Sequence, residues 1–504
     1  MATITAARVV RAGTIPFACA AAAAQLALTL PLAAILNVWQ DEAYTIHSAA
    51  GGAAYAFHEA LAFEQNAPLY FVVMSFWQAV NSSPFFLRLF SIACIAVTVL
   101  LMPALCRRFA PAVDSRWVTA AVALNPFAIW CALEIRVYAL VVLLSALLLL
   151  TFYDAFLTDR ASRRSWVAYG LLCVAALYTQ YYLAFLIAAQ GVYVLAARRG
   201  ALLRYAAAAA AAGLLFAPLL AAVPGQMANF RSIFTAPSSP LAAAATLASI
   251  VLRYLIPTDA IPHAPVVYAV LVAAGIVFAI VARRYIVRGT SGALAAVCVT
   301  AFLLFALALY LTHEHVLNRH AASLFVPFEI GLFALCGSLR EPIRGRAVSA
   351  IGAGVIALSL LALFFNYRHL AKPGDWVRVT AYLEQHERPG EPIAVFQAEN
   401  ALPLAYYYRG PNRIAAIPHA VDFKRYDVSA FVVRSTHDLQ ASMPREKIFW
   451  LISAGECRSA NVEFGCPVLE KYVGAHYKTL TDTSFFGSRV RLLQTLGTAP
   501  GKAR

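Results

Sequence analysis

Apolar positions along this chain fall in long unbroken runs, not in the alternating or one-faced patterns of a soluble protein. Thirteen such runs are read: 14–36, 67–80, 86–105, 117–133, 138–157, 166–182, 183–197, 205–223, 241–256, 265–282, 293–311, 321–338 and 347–366. Roughly 20 apolar residues span the hydrocarbon core as a helix, so most of these runs predict membrane crossings. Between them arginines gather at Arg107/Arg108/Arg116, Arg160/Arg163/Arg164, Arg198/Arg199/Arg204, Arg283/Arg284/Arg288 and Arg340/Arg344/Arg346. If every run crossed, the cluster after 86–105 would face away from Arg8 and Arg11, against the rule that cytoplasmic loops collect Arg and Lys. The run 67–80 is short and follows polar FEQNAP, so it reads as a helix at the outer interface. Demoting it, and the short 241–256 run that carries Arg253, places every cluster inside. About eleven crossings result, with the N-terminus cytoplasmic. The first run, Thr14 to Leu36, is too long for a signal-peptide core and is read as a retained helix.

From about residue 367 the period changes. Short strand-like runs (PIAVF, KIFWLIS, RVRLLQ) alternate with polar turns and a helix-like stretch over 375–387. The expected organisation is an all-α polytopic membrane domain over 1–366, with an outer loop at 37–85, followed by a small mixed α/β domain over 367–504 on the non-cytoplasmic side. That compartment permits a Cys457–Cys466 disulfide, which spacing alone does not fix. The other seven cysteines lie in or beside apolar runs, as small hydrophobes do.

Composition supports this reading. Of 504 residues 61% are hydrophobic and 13% charged, about half the charge of a soluble domain. The net charge of +15 follows from arginine clusters between apolar runs, where topology and anionic lipid headgroups explain it without nucleic acid. Every lysine lies at or beyond Lys372, so a cationic site nearer the N-terminus must use Arg or His.

Three polar groups fall on the outer side of this topology: Asp41 and Glu42 with His47, His58, Glu59 and Glu64 in the first loop; Glu134, Arg136 and Tyr138 in ALEIRVYAL; and THEHVLNRH at 312–320, with Arg319 and His320. Loop charges are usually solvated. Glu134 and Arg136 differ, because apolar sequence flanks them at the membrane boundary, where charges face a cavity or each other. A boundary arginine and an outer carboxylate suit a lipid-linked sugar, whose phosphate rests at headgroup level. A phosphate leaves without a proton donor, so transfer from it needs one base, where a glycosidase needs two carboxyl groups.

WQDEAYT after the first span, EQNAPLYF, LRLFS, ALEIRVYAL, LYTQYY and a late NRHAASLFVPF together resemble the C-type membrane glycosyltransferases of the protein O-mannosyltransferase and aminoarabinose-transferase group. Within it the chain is most similar to bacterial members such as the rhizobial galacturonosyltransferases. The resemblance covers residues 14–340 by motif and order, and the C-terminal domain by layout. It implies inverting transfer of a monosaccharide from a polyprenyl-phosphate sugar to an envelope acceptor (lipid, glycan or protein) at the outer face of the cell membrane. It implies Asp41 as the catalytic base with Glu42 as partner, and Glu64, Gln65 and Asn66 near the donor. Some relatives carry Lys before paired prolines where this chain has Asn66 and a single Pro68. Arg136 is then the stronger candidate for the donor phosphate, with Arg319 and His320 as second choices, and Tyr138 and His58 as further substrate contacts. Asp41, Glu42 and the nearby histidines are residue types that ligate a divalent metal, which stays open as an alternative, but no fixed ligand spacing calls for one and no cofactor is expected. Two alternatives remain: a transporter or flippase of lipid-linked sugar, against which stand the lack of a sequence repeat and charges gathered at one face, and an O-antigen-ligase-like enzyme using a diphosphate donor.

Overall fold

Charge-free runs rich in leucine and alanine must satisfy their backbone polar groups internally in hydrocarbon, and for a single segment only the helix does so. The computed structural model describes residues 2–159, 161–229, 237–255, 289–313, 317–459 and 462–496. Among them, seven helices are long and apolar enough to cross a membrane: Gly13–Ile35, Pro84–Phe109, Tyr138–Leu157, Arg199–Leu220, Gly289–Thr312, Asn318–Gly337 and Ile343–Tyr367. Each falls on an expected crossing. Two more expected crossings are the shorter helices Arg163–Thr179 and Leu183–Ala197. The demoted runs are short too, Leu69–Val80 and Pro240–Leu255. The crossing expected at 265–282 and the cluster Arg283/Arg284/Arg288 lie outside the described residues, as do Arg160 and, in THEHVLNRH, Glu314, His315 and Val316. Large apolar side chains stand exposed along the helices, among them Leu171, Leu214, Leu303 and Phe364. An aqueous surface rarely carries so much apolar area, and the chain is a multi-pass membrane protein.

One expected crossing differs. The run 117–133 is two helices, Ser115–Leu124 and Pro126–Ala132, broken at Asn125. Pro126 removes a backbone donor, and the Asn125 side chain caps the second helix by accepting from Phe127 N at 2.9 Å. The same side chain donates to Glu329 Oε1 at 2.9 Å and to the Tyr254 carbonyl at 2.8 Å, so the break is held by polar partners from two other helices.

Contacts divide the chain into two compact units. The helical one comprises Met1–Ala34, Asn66–Val223 and Ala236–Arg368; the other comprises Ile35–Gln65, Pro224–Thr235 and His369–Arg504. In the second unit β1 (Ile393–Phe396), β2 (Ile414–Ala416), β3 (Ile448–Ala454), β6 (Tyr477–Phe485) and β7 (Ser488–Thr495) form a sheet of order β2-β1-β3-β7-β6; β4 (Arg458–Ser459) and β5 (Val462–Glu463) make a separate pair. The β1 strand runs parallel to β2 and β3, while β7 is antiparallel to β3 and β6. Helices cover both faces, which is why PIAVF is apolar without alternation. Ile393, Val395, Trp450 and Ile452 pack on one face with Trp376 and Leu383; Ala394, Phe396, Phe449 and Leu451 pack on the other with Leu469.

Cys457 and Cys466 are joined by a disulfide. It closes a loop of nine residues, for which chain entropy gives about 2.5 kcal/mol. Replacing Cys466 by Ser should lower the stability of this unit by roughly that amount, read as an earlier chemical-unfolding midpoint in the amide exchange of β1 and β3 in the full chain; a midpoint equal to wild type would contradict it.

Candidate active site

The chain leaves the first long helix at Leu36 and starts a new one, Gln40–Ala50, with Asp41 and Glu42 in its first turn. Carboxylates there face unsatisfied backbone N–H groups and the positive end of the helix dipole. Both are buried: Asp41 is 7% exposed and Glu42 0%. Glu42 Oε2 accepts from the Trp39 backbone N–H at 3.4 Å, and its Oε1 pairs with Lys372 Nζ at 2.9 Å. Lys372, the first lysine of the sequence, is itself buried, and its backbone N–H donates to Asn37 Oδ1 at 2.8 Å. The Val38 N–H donates to the Tyr407 hydroxyl at 2.8 Å.

Two residues past Glu42, the Tyr44 hydroxyl donates to Glu399 Oε1 at 2.8 Å. Burial, and after it the Glu399 carboxylate, push the Tyr44 hydroxyl well above its ordinary pKa, so it stays a neutral donor. Its ring packs edge-on against Phe63, Phe423 and Tyr426. The His47 ring stacks on Phe423 with centroids 3.6 Å apart and shares a 3.1 Å hydrogen bond with the Tyr55 hydroxyl. Desolvation lowers the His47 pKa against a smaller opposing pull from Glu59, favouring the neutral ring. Of the other expected residues in this loop, Glu64 accepts from Ser48 Oγ at 3.2 Å. Gln65 adopts a positive φ of 53°. His58 lies 3.5 Å from Glu59 with its side chain 76% exposed.

In the helical unit, Glu134 and Arg136 lie in the link between Pro126–Ala132 and Tyr138–Phe152, and Tyr138 is the first residue of the second helix. All three are buried, at 1%, 7% and 3% exposed. Ser91 Oγ donates to the Glu134 carbonyl at 2.6 Å, and the Tyr138 ring stacks on Trp130 at 5.4 Å between centroids. The boundary charges are therefore enclosed by protein. Arg319 and His320 begin the 3-10 turn Asn318–Leu324. There His320 stacks on Tyr182 at 5.7 Å, and its Nδ1 accepts from the Leu317 N–H at 3.2 Å. Asn66, also in this unit, opens the turn before Leu69–Val80.

Sequence reading passed over Lys372, Glu399, Phe423 and Tyr426, which the fold brings onto the first loop from more than 300 residues away. It also passed over Arg88, inside the quoted LRLFS, which is fully buried and donates to the Ala33 carbonyl at 3.0 Å. Glu329, next to the quoted FVPF, is fully buried as well. A charged residue within an otherwise apolar run was the available signal for the last two.

Among the described residues no group of three or more His, Cys, Asp or Glu side chains is arranged to hold a metal ion. No family model and no curated protein matches this sequence. Among solved structures, the chain is similar to ArnT from Cupriavidus metallidurans bound to undecaprenyl phosphate, at 12% identity and a TM-score of 0.55, over 95% of this chain and 98% of that one. The same protein in the apo state gives 13%, 0.54, and 98% of each chain. At that identity the likeness shows a shared fold: a helical membrane domain with a small sheet domain at its C-terminal end, the architecture of ArnT.

Proposed function

We propose that this protein transfers a monosaccharide from a polyprenyl-phosphate sugar to an envelope acceptor at the non-cytoplasmic face of the cell membrane, with inversion at the anomeric carbon. The observation that carries the reading is a buried carboxylate pair opening the helix that directly follows the first long apolar helix, in a chain with the fold of ArnT, a structure of which holds undecaprenyl phosphate. In this reading the Asp41 carboxylate takes the proton of the acceptor hydroxyl. The freed oxygen attacks the anomeric carbon opposite the phosphate, and the carbon–oxygen bond to the phosphate breaks. Polyprenyl phosphate leaves with the electron pair, and water removes the proton from Asp41. The phosphate needs no proton to leave, so a single base suffices. Arg136, with Tyr138 beside it, is the proposed donor-phosphate contact; Glu64, Asn66, His58, Arg319 and His320 are substrate contacts of lower rank.

The test uses the purified protein in detergent with polyprenyl-phosphate sugars and envelope glycolipids extracted from the source cells. A transferase forms a sugar-extended product there, detected by mass spectrometry, and polyprenyl monophosphate competes with the donor better than the diphosphate. A flippase changes no covalent bond, so absence of product together with lipid-linked sugar transport in vesicles would overturn the proposal. Preferential competition by the diphosphate would favour the O-antigen-ligase-like chemistry instead.

A further inference from the structure

In open sheets with parallel strands, ligands bind outside the carboxyl ends of strands at the point where the strand order reverses. Here that point lies between β1 and β3, since the chain passes from β1 outward to β2 and then returns across β1 to β3. Gln397, Glu399 and Asn400 follow β1 and are all buried, and the Asn400 side chain donates to the Ala454 carbonyl at the end of β3. What reaches Glu399 is a side chain of the same polypeptide, Tyr44 of the Gln40–Ala50 helix.

We propose that the C-terminal domain holds the proposed base in place: Lys372, Glu399 and Tyr407 are positioning residues that clamp residues 37–44, and Asp41 with them, against the end of β1. This rests on the reading of Asp41 as the base. Four anchors support it, and they bracket Asp41 in sequence: the Lys372 N–H to Asn37, the Tyr407 hydroxyl to the Val38 N–H, the Lys372 ammonium to Glu42, and the Glu399 carboxylate to Tyr44. A buried ion pair contributes little net stability, because desolvation offsets attraction, but it fixes geometry, since either partner alone is costly to bury. Glu42, paired with Lys372 at 2.9 Å, is the anchor next to the proposed base.

A base displaced by about 1 Å loses on the order of a hundredfold in rate. Lys372→Met is therefore expected to cut product formation in the detergent assay about a hundredfold, with affinity for undecaprenyl phosphate kept within about twofold, since Arg136, the proposed phosphate contact, is not one of the anchored residues. Amide exchange over residues 38–50 should quicken while that of β1 and β3 stays as in wild type. Because Lys372→Met strands a buried carboxylate and can cost the fold, Tyr44→Phe is the second variant. It removes one hydroxyl and should raise exchange over the same residues about fivefold. A purely structural role would lower the yield of folded protein and leave the rate per folded molecule unchanged. Unchanged exchange over 38–50 in Tyr44→Phe, or a wild-type rate in folded Lys372→Met, would overturn the clamp. Asp41→Asn, run in parallel, separates the two readings: full product from it would overturn Asp41 as base, and the exchange data would still decide the clamp.

Discussion

Asp41→Asn is expected to lower sugar transfer by about 10²- to 10⁴-fold, the usual contribution of a general base, with folded protein at the wild-type level. Asparagine keeps the shape and the capacity to accept from nearby donors, but it cannot take a proton. The fold is expected to tolerate the exchange because asparagine matches aspartate in size at this buried position in the first helical turn. Glu42→Gln is the informative contrast. It leaves Lys372 buried without its countercharge and should cost folded protein before it costs chemistry. In cells where Asp41→Asn is the only copy, mass spectrometry of envelope glycolipids, glycans and polyprenyl-phosphate sugars should show one sugar missing from a glycoconjugate and its carrier-linked form accumulating. The missing sugar then names the substrate. Matching profiles at equal protein levels would remove Asp41 as the base and bring the transporter reading forward.

The difference between Asp41 and Glu42 marks where sequence reading stopped. WQDEAYT after the first span identified the loop, because two carboxylates at a membrane boundary need a reason. That Glu42 pairs with Lys372 rests on a residue 330 positions away, and the Tyr44–Glu399 bond joins positions 355 apart; no local pattern encodes either. The sheet behaved in the same way. PIAVF, KIFWLIS and RVRLLQ lie in β1, β3 and β7, strands with buried cores that carry an apolar signature. The edge strand β6, YKTLTDTSF, is mostly exposed and went unread, as did the three-residue β2. In the helical unit, runs of uniform apolarity gave seven spans at their observed places. The break at Asn125 was missed because 117–133 reads as one apolar run, although the Asn125-Pro126 step is a local signal for it.

Arg136→Ala should act on the donor instead of on the base. Charge-assisted hydrogen bonds to phosphate contribute about 1.5–3 kcal/mol, so affinity for undecaprenyl phosphate should fall by roughly 10- to 150-fold. Arg136→Lys keeps the charge but loses the planar fork that grips two phosphate oxygens, and should recover only part of the loss. Folding is the competing explanation, since Arg136 lies in a buried turn whose Glu134 carbonyl is held by Ser91. The readout must therefore be titration of undecaprenyl phosphate into protein whose melting temperature matches wild type. Under those conditions Arg136→Ala raises the dissociation constant for the lipid, whereas Asp41→Asn leaves it alone and loses turnover. That opposite pattern is what separates a phosphate contact from a base. An undiminished affinity in folded Arg136→Ala would remove Arg136 from the donor site and move the assignment to Arg319, the other boundary arginine, which opens a 3-10 turn beside Tyr182.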